Sequence, residues 1–282
     1  MTTTDLVTFN NQDNFASIAA LTGASVSSAV YLPRLRVNRH AVNDDDKSIP
    51  MGTYAVTQDD STVYSKTVLF RIFINAFQYS EYDPKERKYV NRSVIIKGFN
   101  EEPIDELGGI ACGKVSAKNL DSLSAEQKAH QKNIKCTRLL YGTVCMEETI
   151  DADGNKDSIV NLPVVFRLNG GNFMAPKDAL AAITKMKHHF FQHYLKLTTK
   201  RNKQGDNIFY DIVVNPTLDT TVPFTEEDLE TFNLFQEVIE RENSYISKKW
   251  TEAKRSLVKA SDDDIDVASA LGFDDSLPRF EV

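Results

Sequence analysis

A basic and aromatic stretch between residues 185 and 203 contains the side chains whose chemistry is easiest to assign. It holds six Lys or Arg residues and no Asp or Glu, although the 282-residue chain has a formal net charge of -7. Phe190, Phe191 and Tyr194 lie among these cations. Cations attract phosphates and flat rings stack on unpaired bases, so this composition indicates single-stranded nucleic acid as the first partner to consider.

The same stretch predicts most of a β-hairpin. Residues 189–200 and 207–214 have the composition of two strands, and the polar loop 201–206 between them contains one Gly. On a strand, His189, Phe191 and His193 would share one face. We predict that this hairpin and the residues just before it contact nucleic acid. The predicted contact residues are Lys187, His189, Phe191, His193, Lys196, Lys200, Arg201 and Lys203.

Two further segments place cations or aromatic rings on predicted strands. Residues 31–40 alternate apolar and basic side chains, and residues 67–82 give the strongest strand signal in the first half of the chain. In the second segment one face is apolar, and the other carries Arg71, Asn75 and several rings. Since the pattern occurs three times, it favours a binding surface over ordinary core and solvent-facing positions. The predicted contacts from these two segments are Arg34, Arg36, Arg39, Arg71, Phe73, Phe77 and Tyr79.

The order of predicted elements indicates a mainly β protein with added helices, an α+β fold. From residue 137 onward it is strand, strand, helix, strand, strand, with the helix over residues 176–187. With one more strand upstream, this order suits a five-stranded antiparallel barrel of the oligonucleotide-binding type, whose helix lies between the third and fourth strands. Acids in a first turn after Thr225 then predict a long helix.

These predictions divide the chain into four parts. The parts are an N-terminal arm (1–30), an OB-like nucleic-acid-binding domain (31–223), a C-terminal helix (224–260) and an acidic tail (261–282) that we expect to be disordered.

Three segments resemble catalytic or metal-binding motifs but lack residues that those motifs require. Residues 108–115 approach a phosphate-binding loop, but Val115 stands where Ser or Thr would hold magnesium. Residues 151–157 imitate the start of a calcium loop, but Lys156 replaces its Gly. His188, His189 and His193 lack carboxylate or thiolate partners in their segment. We therefore predict no enzyme activity, no catalytic residue, no metal site and no cofactor.

Cysteine usage and the N-terminus indicate a compartment. The three cysteines form no CxxC pair, which favours reduced thiols in a cytoplasm. The chain begins without the basic and apolar regions of a signal peptide. No apolar run approaches the ~18 residues that a membrane span requires. We predict a cytoplasmic protein without a membrane partner, in the bacterial host if a phage encodes it.

The C-terminal tail holds most of the net negative charge of the chain. Residues 261–282 contain six Asp and one Glu against one Arg, with apolar residues spaced among them. A charge asymmetry of this kind is typical of an interaction tail, although a plain solubilising end remains an alternative. The predicted partner-binding residues are Asp262, Asp263, Asp264, Asp266, Phe273, Asp274, Asp275 and Phe280.

With this tail the chain resembles the single-stranded DNA-binding proteins of bacteria and phages, the phage T7 type included. Those proteins end in an acidic stretch with a terminal Phe, whereas here Glu281 and Val282 follow Phe280. The resemblance implies a tail that competes with DNA for the basic groove and recruits replication or recombination proteins. It implies a protein that protects and organises single-stranded DNA, in which homo-oligomerisation and the choice between DNA and RNA stay open.

Two other function classes remain as alternatives. The first is a phage-encoded inhibitor or adaptor that uses the same hairpins to hold a protein and does not bind DNA. The second is a nuclease or other enzyme with scattered acidic ligands, which would require a divalent metal.

Overall fold

The computed structural model describes residues 31–43, 46–58, 61–99, 101, 103–109, 112–114 and 117–262. Its strands are β1 (Arg34–Val37), β2 (Tyr54–Gln58), β3 (Ser61–Ser65), β4 (Val68–Asp83), β5 (Lys88–Arg92), β6 (Ile134–Ile150), β7 (Lys156–Leu168), β8 (Tyr194–Gln204) and β9 (Asn207–Pro216). Its α-helices are α1 (Ala125–Asn133), α2 (Lys177–Lys185) and α3 (Glu226–Asp262). Short 3-10 helices cover Ala117–Ser122, Gly170–Asn172 and Phe190–Gln192. The fold is therefore mixed α+β and mostly sheet, which confirms the predicted class.

The strands form one sheet in the order β3-β2-β1-β7-β6-β4-β8-β9, with β5 paired to β4. The pairing of β1 with β7 is parallel, and the other pairings between named strands are antiparallel. Strand β3 also pairs with β6, through Tyr64 and Ile150. This pairing closes β1, β2, β3, β6 and β7 into a ring of strands, and β8 and β9 extend the sheet beside β4. These elements belong to a unit that begins at Leu32.

The five strands expected to make a barrel are arranged differently from the prediction. The order strand, strand, helix, strand, strand after residue 137 is confirmed as β6, β7, α2, β8 and β9. With β4 these strands form a row, β7-β6-β4-β8-β9, in which β9 does not pair back to β7 among the described strands. The ring instead uses the N-terminal strands β1, β2 and β3, because β1 lies beside β7.

The two long central strands, β4 and β6, carry apolar side chains on both faces, and both faces are covered. One face packs into a core that includes Phe70, Phe166 and Ile183 of α2. On the other face, Phe73 and Tyr141 pack against Phe235 of α3. At about 25 cal/mol per Å² of apolar surface removed from water, such a two-sided core is the main favourable term in the stability of the fold.

A β-bulge interrupts the alternation of β4. The register between β4 and β6 shifts between Ile72 and Ile74, so that a one-residue step on β6 opposes two residues on β4. Gly142 lies opposite Ile72, where a Cβ atom would stand 2.2 Å from the Arg71 carbonyl oxygen. The absence of a side chain at Gly142 thus permits the close approach of the two strands, and side chains beyond the bulge exchange faces.

The hairpin strand predicted from residue 189 begins later, so that prediction is wrong at its start. The chain first makes the 3-10 helix Phe190–Gln192, in which the backbone N–H of His193 donates to the carbonyl of Phe190 (3.2 Å). The Gln192 side chain accepts from the backbone N–H of His189 (2.7 Å), and this bond caps the turn. Strand β8 therefore starts at Tyr194.

Candidate nucleic-acid interface

The hairpin formed by β8 and β9 projects from the sheet. Strand β4 pairs with β8 only from Tyr194 to Leu197, whereas β8 and β9 pair with each other as far as Gln204 and Asn207. Residues 198–213 therefore pair only within the hairpin, among the strands that the structure describes. We call these residues the basic arm. The turn at its tip uses Gly205, whose φ is +60°.

Exposed cations cover both faces of the basic arm. Lys200 lies on one face, with Lys196 just outside the arm on the same face, and Arg201 and Lys203 lie on the other. The acids nearby are Asp206 at the turn and Asp211, whose carboxylate accepts from Asn202 Nδ2 (2.6 Å). The four cations thus outnumber the two acids on a part of the chain that solvent reaches.

Apolar side chains accompany these cations at the tip. Phe209 is 40% exposed and pairs across the hairpin with Asn202, and Ile208 beside it is exposed to a similar degree. An exposed ring among cations can stack on an unpaired base while the cations hold its phosphates. Phe209 is not among the contacts predicted from the sequence, although its position opposite the Lys-rich strand was a signal that could have identified it.

The base of the basic arm is held by hydrogen bonds to two other segments, residues 52–54 and Asn172. The Tyr54 hydroxyl donates to the Thr198 carbonyl (3.0 Å), and burial raises the pKa of Tyr54, which keeps this donor protonated. Thr199 Oγ1 donates to the carbonyl of Gly52. The backbone N–H of Ile212 donates to Asn172 Oδ1 (3.0 Å). These bonds fix the direction in which the arm projects.

Gly52 lies under the ring of Tyr210. A Cβ atom at this position would be 2.2 Å from Tyr210 Cε1, and the φ of Gly52 is +72°. The Gly52 backbone N–H also donates to the Asn38 carbonyl (2.8 Å), which brings the end of β1 to the arm. Exposed Arg39 follows Asn38, so the structure places Arg39 next to the basic arm.

The other two predicted arginines of β1 lie on a different surface. Arg34 and Arg36 are exposed on the face of β1 opposite buried Leu35. That face continues onto β7, because Arg34 pairs with Val165. These two arginines are therefore surface cations that the fold does not bring to the basic arm.

The predicted contacts in the first part of β4 are internal. Arg71 is 4% exposed and binds Asp228 Oδ1 through Nη1 (2.7 Å) and the Pro223 carbonyl through Nη2 (3.0 Å). Its Nε also donates to the carbonyl of Phe191. Phe73 is buried against Phe235 of α3, with ring centroids 5.9 Å apart. The expected exposed face is wrong at these positions because α3 and the segment before it cover it.

The bulge in β4 places Phe77 and Tyr79 on the opposite face from Phe73. Both rings are buried in a cluster with Ile96 and Ile134. Burial raises the pKa of Tyr79 to about 12, so its hydroxyl stays neutral. The prediction that these four β4 side chains share one exposed surface is therefore wrong, because the alternation changes phase at residue 73.

The predicted contact residues before β8 also differ in their exposure to solvent. His193 is fully buried, with Nδ1 2.9 Å from the Thr217 carbonyl oxygen and Nε2 2.8 Å from His188 Nδ1. Phe191 is half-buried against Phe73, and exposed His189 stacks on it with ring centroids 5.2 Å apart. Lys187 is exposed. His189, Phe191 and His193 do not share a strand face, since the 3-10 helix separates them.

The predicted tail lies almost wholly outside the described residues. Asp262 is the last residue of α3. The other tail residues predicted to bind partners lie beyond the described part of the chain, as does the N-terminal arm 1–30. They are Asp263, Asp264, Asp266, Phe273, Asp274, Asp275 and Phe280.

Arg138, a basic residue outside the contacts predicted from the sequence, has an unusual environment. Arg138 of β6 is 8% exposed, and its guanidinium carbon contacts the rings of both Phe77 and Phe173, which also contact each other. Desolvation lowers its pKa from the ordinary value for Arg. Its position in an apolar strand pattern gave no sign of this, since the pairing with Phe77 arises only after the bulge.

The described residues contain no group of three or more His, Cys, Asp or Glu side chains placed to hold a metal ion. None of the helices in the described part of the chain is long and apolar enough to cross a membrane. Comparisons with protein-family models, curated proteins and solved structures give no match.

Proposed function

We propose that this protein binds single-stranded DNA, and that the basic arm is the main contact surface. The observation that carries the proposal is a projecting hairpin with exposed Lys200, Arg201, Lys203 and Phe209, next to exposed Arg39. Cations on both faces of a thin hairpin suit a flexible strand that follows the arm. A duplex is stiffer and presents no unpaired bases to stack, so the proposal favours single strands.

The mechanism is passive binding without a covalent step. Lys and Arg neutralise phosphates and release counterions, which gives a log-log salt slope of about -0.7 for each phosphate contacted on a single strand. An exposed ring such as Phe209 adds roughly 1–3 kcal/mol for each base that stacks on it. No residue is assigned a catalytic role.

We propose that the ring of β1, β2, β3, β6 and β7 is an OB-like scaffold that supports the basic arm. The five-strand closure and the projecting hairpin support this assignment. The acidic tail beyond residue 262 is proposed to compete with DNA for the arm and to recruit replication or recombination proteins. Its excess of Asp over Arg in the sequence supports that role.

Fluorescence anisotropy tests this function directly. A labelled ~30-nucleotide single strand, its duplex and an RNA of the same length are titrated with the full chain and with a chain ending at Asp262, at 50 and 200 mM salt. Preference for the single strand, loss of affinity at higher salt and tighter binding by the shortened chain are the expected results. Absence of binding by both chains overturns the proposal.

A second candidate function is protein docking by the same arm. The adjacent exposed side chains of Ile208 and Phe209 at its tip favour this alternative. Strand β9 also ends the sheet, and such an edge can pair with an extended segment of a partner. Affinity for a protein that is independent of DNA, in a chain that fails the anisotropy test, would support docking.

A further inference from the structure

Two of the three nitrogen atoms of the Arg138 guanidinium are enclosed without an acceptor. Its Nε and Nη1 are buried and have no hydrogen-bond partner among the described residues. The guanidinium carbon lies 5.3 Å from the Phe77 centroid and 5.1 Å from the Phe173 centroid. Such contacts offset only part of the cost of burying a charge without a hydrogen-bonding partner. The site is therefore electrostatically incomplete.

An unpartnered acceptor lies one rung away. Asn75 Oδ1 is enclosed and has no donor in the described part of the structure. Asn75 pairs with Leu140, and Phe77 pairs with Arg138, so Asn75 and Arg138 are diagonal neighbours on one face of the sheet. This face of the sheet therefore holds an uncompensated donor group next to an uncompensated acceptor.

A ring at the surface extends this site outward. Phe99 is 41% exposed and lies on Phe77, with centroids 4.4 Å apart and planes tilted by 36°. Phe77 thus contacts Phe99, the Arg138 guanidinium and also Phe173, whose ring centroid is 6.0 Å away. Nη2 of Arg138 is not among the enclosed unpartnered atoms, so it is the nitrogen that an anion would contact. An exposed ring and an uncompensated guanidinium that both contact Phe77 match the base and the phosphate of one nucleotide.

The same segment connects the site to the basic arm. Phe173, which contacts Arg138, directly follows Asn172, whose side chain accepts from Ile212 N of β9 (3.0 Å) and donates to the Tyr210 carbonyl (3.5 Å). A single strand that leaves the arm at Tyr210 would cross this turn to reach Arg138.

We propose that Arg138 and Phe99 form a nucleotide subsite, which takes one nucleotide of a bound single strand. The phosphate binds Nη2 of the Arg138 guanidinium, and the base stacks on Phe99. This inference rests on the proposed function, which it extends from the arm to a defined second contact.

The test uses the full chain with the variants Phe99→Ala and Arg138→Lys. Tyr89→Ala, which removes an exposed ring from β5, is the matched control. Affinity for the ~30-nucleotide single strand should fall about 10-fold in the first two variants, within the range measured for one stacked base, and change less than twofold in the control. Arg138→Lys could weaken folding, so urea unfolding measures the stability of each variant. Phe99→Ala changes an exposed side chain and tests the subsite independently.

A direct readout is the ¹⁵N–¹H resonance of Arg138 Nε, assigned by its loss in Arg138→Lys. It should shift on addition of thymidine monophosphate more than on addition of thymidine or inorganic phosphate. Strand binding by the wild type with unchanged affinity in Phe99→Ala and no shift overturns the subsite and leaves the proposed function intact. An equal shift with inorganic phosphate also overturns it as a nucleotide site. A shift with the mononucleotide in a protein that binds no long strand supports the subsite and contradicts the role of the arm.

Discussion

Arg71 of β4 and Asp228 of α3 form an ion pair between buried side chains, with Nη1 and Oδ1 2.7 Å apart. The other carboxylate oxygen, Oδ2, accepts from the backbone N–H of Thr225 (2.8 Å), and Thr225 Oγ1 accepts from Asp228 N (3.3 Å). This reciprocal cap fixes the start of α3, and the ion pair ties that start to the centre of the sheet. Arg71, which was predicted from the sequence to contact DNA, thus anchors the start of the helix that covers Phe73.

Removal of the Asp228 carboxylate should destabilise the fold strongly. Asp228→Ala leaves the Arg71 charge buried without its ionic partner and removes the cap of α3, so we expect a loss of about 3–5 kcal/mol in the free energy of unfolding. Urea denaturation measures it. Glu227→Ala removes an exposed acid from the same turn and should cost less than about 1 kcal/mol. Equal effects of the two substitutions would contradict a structural role for the ion pair.

A methyl group at Gly142 should disturb the contact of β4 with β6. The added Cβ would meet the Arg71 carbonyl oxygen at 2.2 Å and Phe70 Cε2 at 2.7 Å, and the backbone cannot move aside without altering the bulge. We expect Gly142→Ala to cost about 1–3 kcal/mol in the free energy of unfolding. Gly171→Ala, where no atom lies within 4 Å of the added carbon, is the control and should be nearly neutral. A neutral Gly142→Ala would refute the close packing described here.

The positions of the strands were predicted from the sequence more accurately than the tertiary contacts of their side chains. Periodicity located β4 and β6 because long alternating segments carry a strong local signal. It could not show that α3 would cover the Arg71 face, since that depends on a contact between residues 157 positions apart. The bulge at residue 73 was equally hidden, because it depends on Gly142 of another strand.

The candidate site was predicted in part for the same reason. The cations Lys196, Lys200, Arg201 and Lys203 are exposed as expected, since Lys and Arg rarely lie in a core. His193 is buried because the chain turns at Phe190–Gln192 before the strand begins, and strand periodicity contains no information on that turn. Arg138 was missed because its rings come from two distant segments.

Alkaline pH should reveal the partial burial of Cys136. Desolvation raises its pKa from an ordinary value of 9.0 to about 11. The unfolded thiol ionises near pH 9 while the folded thiol keeps its proton, so the unfolded state binds fewer protons and stability falls from pH 9 to pH 11. Urea unfolding across this range should show a smaller fall for Cys136→Ala than for the wild type. Identical pH profiles would contradict this assignment.

Loss of a stacking contact and loss of a phosphate contact should affect the salt dependence of binding differently. Phe209→Ala should weaken single-strand binding about 5- to 10-fold and leave the salt slope unchanged, because it removes a stacked ring. Lys200→Ala should reduce the slope by about 0.7, because it removes one phosphate contact. Val160→Ala, at an exposed apolar position on β7, is the control for Phe209. Anisotropy titrations at several salt concentrations measure both quantities, and a slope change in Phe209→Ala would argue against stacking.

The most direct test of the central claim compares charge reversal in two hairpins. One variant changes Lys200, Arg201 and Lys203 to Glu, and the other changes Lys85, Arg87 and Lys88, which are exposed at the turn between β4 and β5, to Glu. Both variants have the same net charge. At 100 mM salt we predict that the first loses about 100-fold in affinity for a single strand and that the second loses less than about 3-fold. Equal affinities in the two variants, whether both are weakened or neither is, would contradict a DNA-binding role for the basic arm.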